Sequence, residues 1–122
     1  MLPRGLLVLG ACALFGCITP SIPIPPPDPE QMTFEVNADA GEARFSYSPA
    51  SFFGGAAVYV YNRRTGSGVI DTARPDGSVG PTLPFPAALG DSVIVSFAKE
   101  EQTVSTCIVV RQGRQSQSDI CR

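Results

Sequence analysis

Residues 32–48 read MTFEVNADAGEARFSYS, and the alternation within them decides the fold class. Met32, Phe34 and Val36 alternate with Thr33, Glu35 and Asn37. Ala43, Phe45 and Tyr47 then alternate with Arg44, Ser46 and Ser48. Successive side chains of an extended strand point to opposite faces, so a period of two gives each stretch one apolar and one polar face. Between them Ala38–Glu42 (ADAGE) places Asp and Gly where a chain reverses, and the two stretches predict a β-hairpin.

The same pattern extends outward. Beyond the Ser51–Gly55 loop, Ala56–Asn62 (AAVYVYN) is apolar on both faces, as a central strand would be. Arg63–Gly68 turns the chain into a strand at Val69–Ala73, and Asp76-Gly77 leads to another at Ser78–Leu83. Pro81 and Pro84 push that strand to an edge, because proline cannot donate to a ladder from the middle of a sheet. Pro84–Asp91 (PFPAALGD) reads as a longer connection. Val93, Val95 and Phe97 mark a further strand, and the last runs from about Thr103 to Arg111. About seven short strands with no amphipathic helix predict an all-β antiparallel sandwich in a single domain.

Composition narrows the function classes. The chain has 122 residues, of which 12 are proline and 12 glycine, a usage that suits many turns and a linker. The formal net charge of −2 provides no electrostatic footprint for nucleic acid. The sequence contains no histidine, the commonest general base and metal ligand. No serine therefore has an imidazole to activate it, and no Asp or Glu sits in an apolar stretch that would raise its pKa. Nothing in the sequence indicates an enzyme or calls for a cofactor.

Asp76-Gly77-Ser78, then Gly90-Asp91-Ser92-Val93-Ile94-Val95, then Val104-Ser105 resembles the second half of bacterial immunoglobulin-like modules. In those modules such turns start successive strands and a hairpin closes the sheet. The resemblance implies an immunoglobulin-like sandwich used for display or binding, and it brings no catalytic residues. The chain departs from the pattern at Lys99-Glu100-Glu101-Gln102, where an Asp-x-x-Gly turn is usual, and it has no tryptophan.

The first residues carry an address. Met1–Gly5 holds one arginine and no acid, and Leu6–Gly16 (LLVLGACALFG) is almost wholly apolar, the pattern of a secretory signal peptide. An eleven-residue helix spans roughly 16 Å against a hydrocarbon core of about 30 Å, too short for a membrane anchor. Leu14-Phe15-Gly16-Cys17 resembles the lipobox of bacterial lipoproteins, with Phe15 bulkier than the usual residue. Leu9-Gly10-Ala11-Cys12 fits the same template but leaves a shorter apolar run. The resemblance implies removal of residues 1–16 and acylation of Cys17, which ties the mature chain to a bacterial envelope membrane. Ile18 in place of Asp after the acceptor favours the outer membrane, by resemblance to enterobacterial sorting. Ile18–Gln31 (ITPSIPIPPPDPEQ) contains six prolines and reads as a polyproline tether of roughly 40 Å. The expected division is therefore 1–16 leader, 17–31 lipidated cysteine and tether, and 32–122 domain.

With Cys12 and Cys17 assigned to the leader region, Cys107 and Cys121 remain, and an even pair in an exported chain predicts a disulfide. No CxxC spacing favours a redox or metal pair. Three further features carry contact chemistry. Tyr59, Tyr61 and Arg63 share one face of a strand, where aromatic rings and a guanidinium can stack on sugars or bases, or pack against the partner sheet. Phe52 and Phe53 lie in a loop, either as exposed contact residues or as plugs of the sandwich end. Asp71, Asp76 and Asp91 can hold calcium if they converge, though Asp before Gly or Ser is also ordinary turn chemistry. The expected function is a non-enzymatic, membrane-anchored envelope lipoprotein presenting its domain for binding or structural support. The alternatives are an adhesive module for carbohydrate or protein and a small envelope hydrolase. The expected partners are the membrane, through the lipid anchor, and an envelope protein or glycan.

Overall fold

In a computed structural model that describes residues 22–122, strands β1 (Met32–Asn37) and β2 (Glu42–Tyr47) form the hairpin. Met32 lies opposite Tyr47 and Phe34 opposite Phe45, so the register puts all four side chains on one buried face. Gly41 closes the turn at φ +67°, a conformation that costs any residue with a Cβ. The chain continues through β3 (Ala57–Asn62), β4 (Ser67–Thr72), β5 (Phe85–Pro86), β6 (Ser92–Lys99), β7 (Gln102–Val109) and β8 (Gly113–Arg114).

One sheet has the order β5-β2-β1-β8 and the other β4-β3-β6-β7, with every pairing antiparallel. The chain changes sheet after β2, β4, β5 and β7, the Greek-key crossing of an immunoglobulin-like sandwich. Facing residues of the two sheets interlock: Tyr47 of β2 packs 5.0 Å from Phe97 of β6. Within the first sheet Phe34 meets its cross-strand neighbour Phe45 with ring centroids 5.2 Å apart, and Phe53, in the loop after β2, stacks on Phe97 at 4.1 Å. Val58, Val60, Val93, Val95 and Ile108 fill the remainder. Each buried ring or branched side chain contributes about 1.5–3 kcal/mol, which makes this core the main support of the fold.

Six strands fall where the alternation puts them, and the fifth does not. The strand expected at Ser78–Leu83 is reduced to one bridge, Val79 to Tyr47, and the ladder resumes as β5 within the stretch read as a connection. Proline explains the break: Pro81 and Pro84 have no N–H to donate. Thr82 fills the gap by accepting the Phe45 N–H with its hydroxyl, 3.1 Å, while its own N–H donates to Phe45 O at 2.9 Å. β5 lies at an edge, as the prolines require.

The polar tail also forms structure. Gln115 is buried, its N–H donates to Met32 O, and its side-chain amide donates to the carbonyls of Arg111 and Gly113. This satisfies a polar group inside the fold and lets β8 pair with β1. Cys107 and Cys121 form the disulfide, and Cys121 N–H donates to Cys107 O at 3.0 Å.

The proline-rich segment from Ile22 to Gln31 lies along the sandwich and does not stand away from it as a free spacer. Gln102 receives the Ile24 N–H at 2.8 Å and donates to Ile22 O at 2.9 Å. Further on, the Thr106 hydroxyl donates to Pro27 O at 2.6 Å, and Asp28 N–H reaches the Tyr47 hydroxyl at 2.8 Å. Pro27 and Pro29 are buried and Ile24 packs on the core. Side chains of β7 thus supply hydrogen bonds to a strap whose prolines cannot donate to a ladder. The expected signal peptide, the expected lipobox with Cys17, the rival Cys12 and the start of the expected tether all fall within residues 1–21, outside the described part.

Candidate functional site

β3 is a central strand with both faces apolar, and only one of them is covered. Val58, Val60 and Asn62 point into the sandwich, while Ala57, Tyr59 and Tyr61 point outward. Tyr59 lies opposite Ile70 of β4 on one side and Ser96 of β6 on the other; Tyr61 lies opposite Gly68 and Ile94. Tyr59 is 40% and Tyr61 46% exposed, and Ile70 stands out further at 71%. Beyond Ser96 the row continues to Ser105 of β7, the two hydroxyls 2.6 Å apart. The result is a face with two phenol rings, Ile70 and Ile94 beside them, and the Ser96 and Ser105 hydroxyls next to Tyr59. Gly68, opposite Tyr61, admits no side chain, since a Cβ there would strike the Val60 carbonyl oxygen.

The other sequence-derived residues fall elsewhere. Arg63 follows the last residue of β3, is exposed, and donates its N–H to Ser92 O at 2.9 Å. It shares a shallow hollow with Arg64, Asp91 and Ser92 at the end of the sheet. Phe52 is 44% exposed, as a contact residue must be. Phe53 cannot be one: it is fully buried, 4.1 Å from Phe97 and 5.7 Å from Tyr47, and closes the sandwich as a plug. Two adjacent phenylalanines in a short 3-10 turn must diverge, so one enters the core and the other stays at the rim.

The three aspartates do not gather round a metal site, and no group of metal-ligating side chains occurs among the described residues. Each has a local task. Asp76 accepts from the N–H and hydroxyl of Ser78, which hold its carboxyl below the usual range. Asp71 accepts from the N–H of Thr72. Asp91 is the one with structural weight. It is 6% exposed, pairs with Arg64 Nε at 2.5 Å, and accepts from the Asn62 amide and the Ala88 N–H at 2.8 Å each. The Arg64 bond is the main cause that lowers its pKa to about 2; burial opposes it, and the Asn62 and Ala88 bonds assist.

Sequence reading missed this Asn62–Asp91–Arg64 group, which ties β3 to the loop before β6. Asp91 was visible only as turn chemistry after Gly90, and a buried Asn at the end of an apolar strand was the available signal. A hollow of about 450 Å³ on the first sheet is lined by Glu35, Glu42 and Arg44 among others, and its two carboxylates are solvent-accessible rather than buried. No helix among the described residues is long and apolar enough to cross a membrane. No protein-family model matches the chain, and no curated protein or solved structure does either.

Proposed function

We propose that the chain is an exported lipoprotein of the bacterial cell envelope. It is anchored through acyl chains on Cys17, in the outer membrane by the residue that follows. It is non-enzymatic and presents a small immunoglobulin-like domain as a binding module. Its contact surface is the outer face of the β4-β3-β6-β7 sheet, centred on Tyr59 and Tyr61. The observation that carries the reading is that these rings stay exposed on a central strand whose other face is fully covered. Exposed aromatic side chains bring large contact area at small conformational cost, which is why they mark contact surfaces.

A glycan is the second, narrower reading of the partner. Tyr59 and Tyr61 sit two residues apart on one face, about 7 Å along the strand, with the Ser96 and Ser105 hydroxyls beside them. Rings at that spacing can stack on successive sugars while hydroxyls bond their edges.

Two measurements test the proposal. The intact mass of protein extracted from bacterial membranes should match a chain beginning at Cys17 with acyl chains attached. It should rise by two hydrogens on reduction. Retention of Met1 would overturn the address. Co-sedimentation with isolated envelope glycan should be lost in Tyr59→Ala, Tyr61→Ala. Loss of a protein contact instead, with glycan binding absent in both proteins, would assign the face to a protein partner.

A further inference from the structure

Building on the reading of Cys17 as the anchor, we infer that one end of the sandwich rests on a zwitterionic lipid surface. That end carries Ile22, Phe52 and the turn between β6 and β7, and the Ala87–Asp91 loop then faces away from the membrane.

The chain length between anchor and domain leads to this. Gln102 grips both Ile22 O and the Ile24 N–H, so the polypeptide is fastened to the sandwich from Ile22 onward. Four residues, 18–21, lie between Cys17 and Ile22. Five Cα steps reach at most about 18 Å, and the headgroup layer alone takes up roughly 5–8 Å of that. A long spacer would let the domain tumble freely; this one is too short. The end where Ile22 joins the sandwich is held near the headgroups whatever path residues 18–21 take.

That end has the chemistry for such a contact. Ile22 is 87% exposed, and Phe52, 44% exposed, lies in the same hollow. Beside them the Lys99 ammonium donates to Phe52 O at 3.2 Å, and Glu100 and Glu101 form the turn. A cation and two carboxylates around an apolar pair match a headgroup that carries both a phosphate and an ammonium. They do not match a strongly anionic surface. The opposite end differs, since the Arg64–Asp91 ion pair occupies it. β6 runs the full distance from Ser92 to Lys99, about 23 Å, so the two ends are well separated. With the strands upright on the membrane, the Tyr59 and Tyr61 face stands on its side and remains open to a partner.

The chain contains no tryptophan, so a single one introduced at either end reports on that end alone. Phe52→Trp and Leu89→Trp both replace exposed side chains, and Ile22→Trp reports the near end if Phe52→Trp fails to fold. Each lipidated protein is reconstituted into phosphatidylcholine–phosphatidylethanolamine vesicles containing phospholipid brominated near the headgroup, after its intact mass has located the acyl chains. The expected result is tryptophan quenching several-fold stronger at position 52 or 22 than at position 89. Equal quenching at both ends, or none at either, in protein acylated at Cys17 would overturn the orientation and leave the anchor standing. Protein acylated at Cys12, or carrying no acyl chain, would overturn both.

Discussion

The Tyr47 hydroxyl accepts a hydrogen bond at 2.8 Å from the backbone N–H of Asp28, joining the strap to the aromatic core across 19 positions of sequence. The ring itself packs 5.0 Å from Phe97 and 5.7 Å from Phe53. Burial pushes the Tyr47 phenol above its ordinary pKa. Tyr47→Phe keeps the ring and removes only the acceptor. It should cost about 1 kcal/mol in urea unfolding. The Asp28 amide should exchange with solvent faster than in the parent; unchanged exchange there would show that the strap is held by its other bonds alone.

Asp91 makes stability depend on acid. Its pKa lies at about 2 in the folded chain, against roughly 3.9 for an unperturbed aspartate. The folded state therefore favours the ionised form. The resulting stabilisation is complete above the unfolded value and disappears as pH falls from about 4 to about 2. Its size is about 1 kcal/mol, because the Arg64 side chain is 59% exposed and screened by water. Asp91→Asn should lower stability at pH 7 by this amount and flatten the unfolding midpoint between pH 4 and 2. A variant that keeps the parent slope would place the acid sensitivity in another group.

The disulfide closes a loop over a sequence separation of 14. The chain-entropy estimate for such a loop is about 3 kcal/mol. It holds the Ile120 bridge to Ile108, and so keeps the tail on β7. Adding dithiothreitol, or replacing both residues in Cys107→Ser, Cys121→Ser, should lower the urea midpoint accordingly. The near-identity of the two shifts is the check that the bond, and not the loss of cysteine, is responsible.

Neighbouring phenylalanines should respond very differently to the same change. Phe53→Ala opens a cavity against Phe97 and should cost about 3–5 kcal/mol. Phe52→Ala removes a rim side chain and should cost less than about 1 kcal/mol. Thermal unfolding followed by circular dichroism distinguishes them, and equal losses would contradict the assignment of Phe53 as the plug.

Tyr59→Ser with Tyr61→Ser should leave the fold nearly as stable as the parent. Each loses cross-strand contacts worth about 0.2–1 kcal/mol, chiefly with Ile70 and Ile94. The binding proposed for this face should nevertheless vanish. A large fall in melting temperature would instead make the tyrosines structural.

The strands were legible because alternation is local. Met32–Val36 and Ala43–Tyr47 each declare a buried and an open face without reference to any other residue, and a turn must separate them. The Cys107–Cys121 pair was legible by elimination, once the other two cysteines were read as part of an export signal. Pro81 and Pro84 announced an edge, but not that the ladder would break at Thr82 and resume at Phe85. That depended on which carbonyls and hydroxyls of β2 lay within reach.

Some questions could be answered only by partners distant in sequence. Ala57–Asn62 is apolar on both faces, and its own residues do not say which face is covered; the opposing sheet buries Val58 and Val60 and leaves Tyr59 and Tyr61 outside. Phe52 and Phe53 are chemically identical, and the position of Phe97 selects between them. The prolines of 22–31 ruled out an α-helix and a ladder, and left only the single 3-10 turn Pro29–Gln31. Whether they stand free or lie down was settled by Gln102, Thr106 and Tyr47, which offer them hydrogen bonds. Periodicity and proline act through the chain's own covalent geometry and so can be read along it, whereas burial is a relation between surfaces and exists only once the two sheets have met.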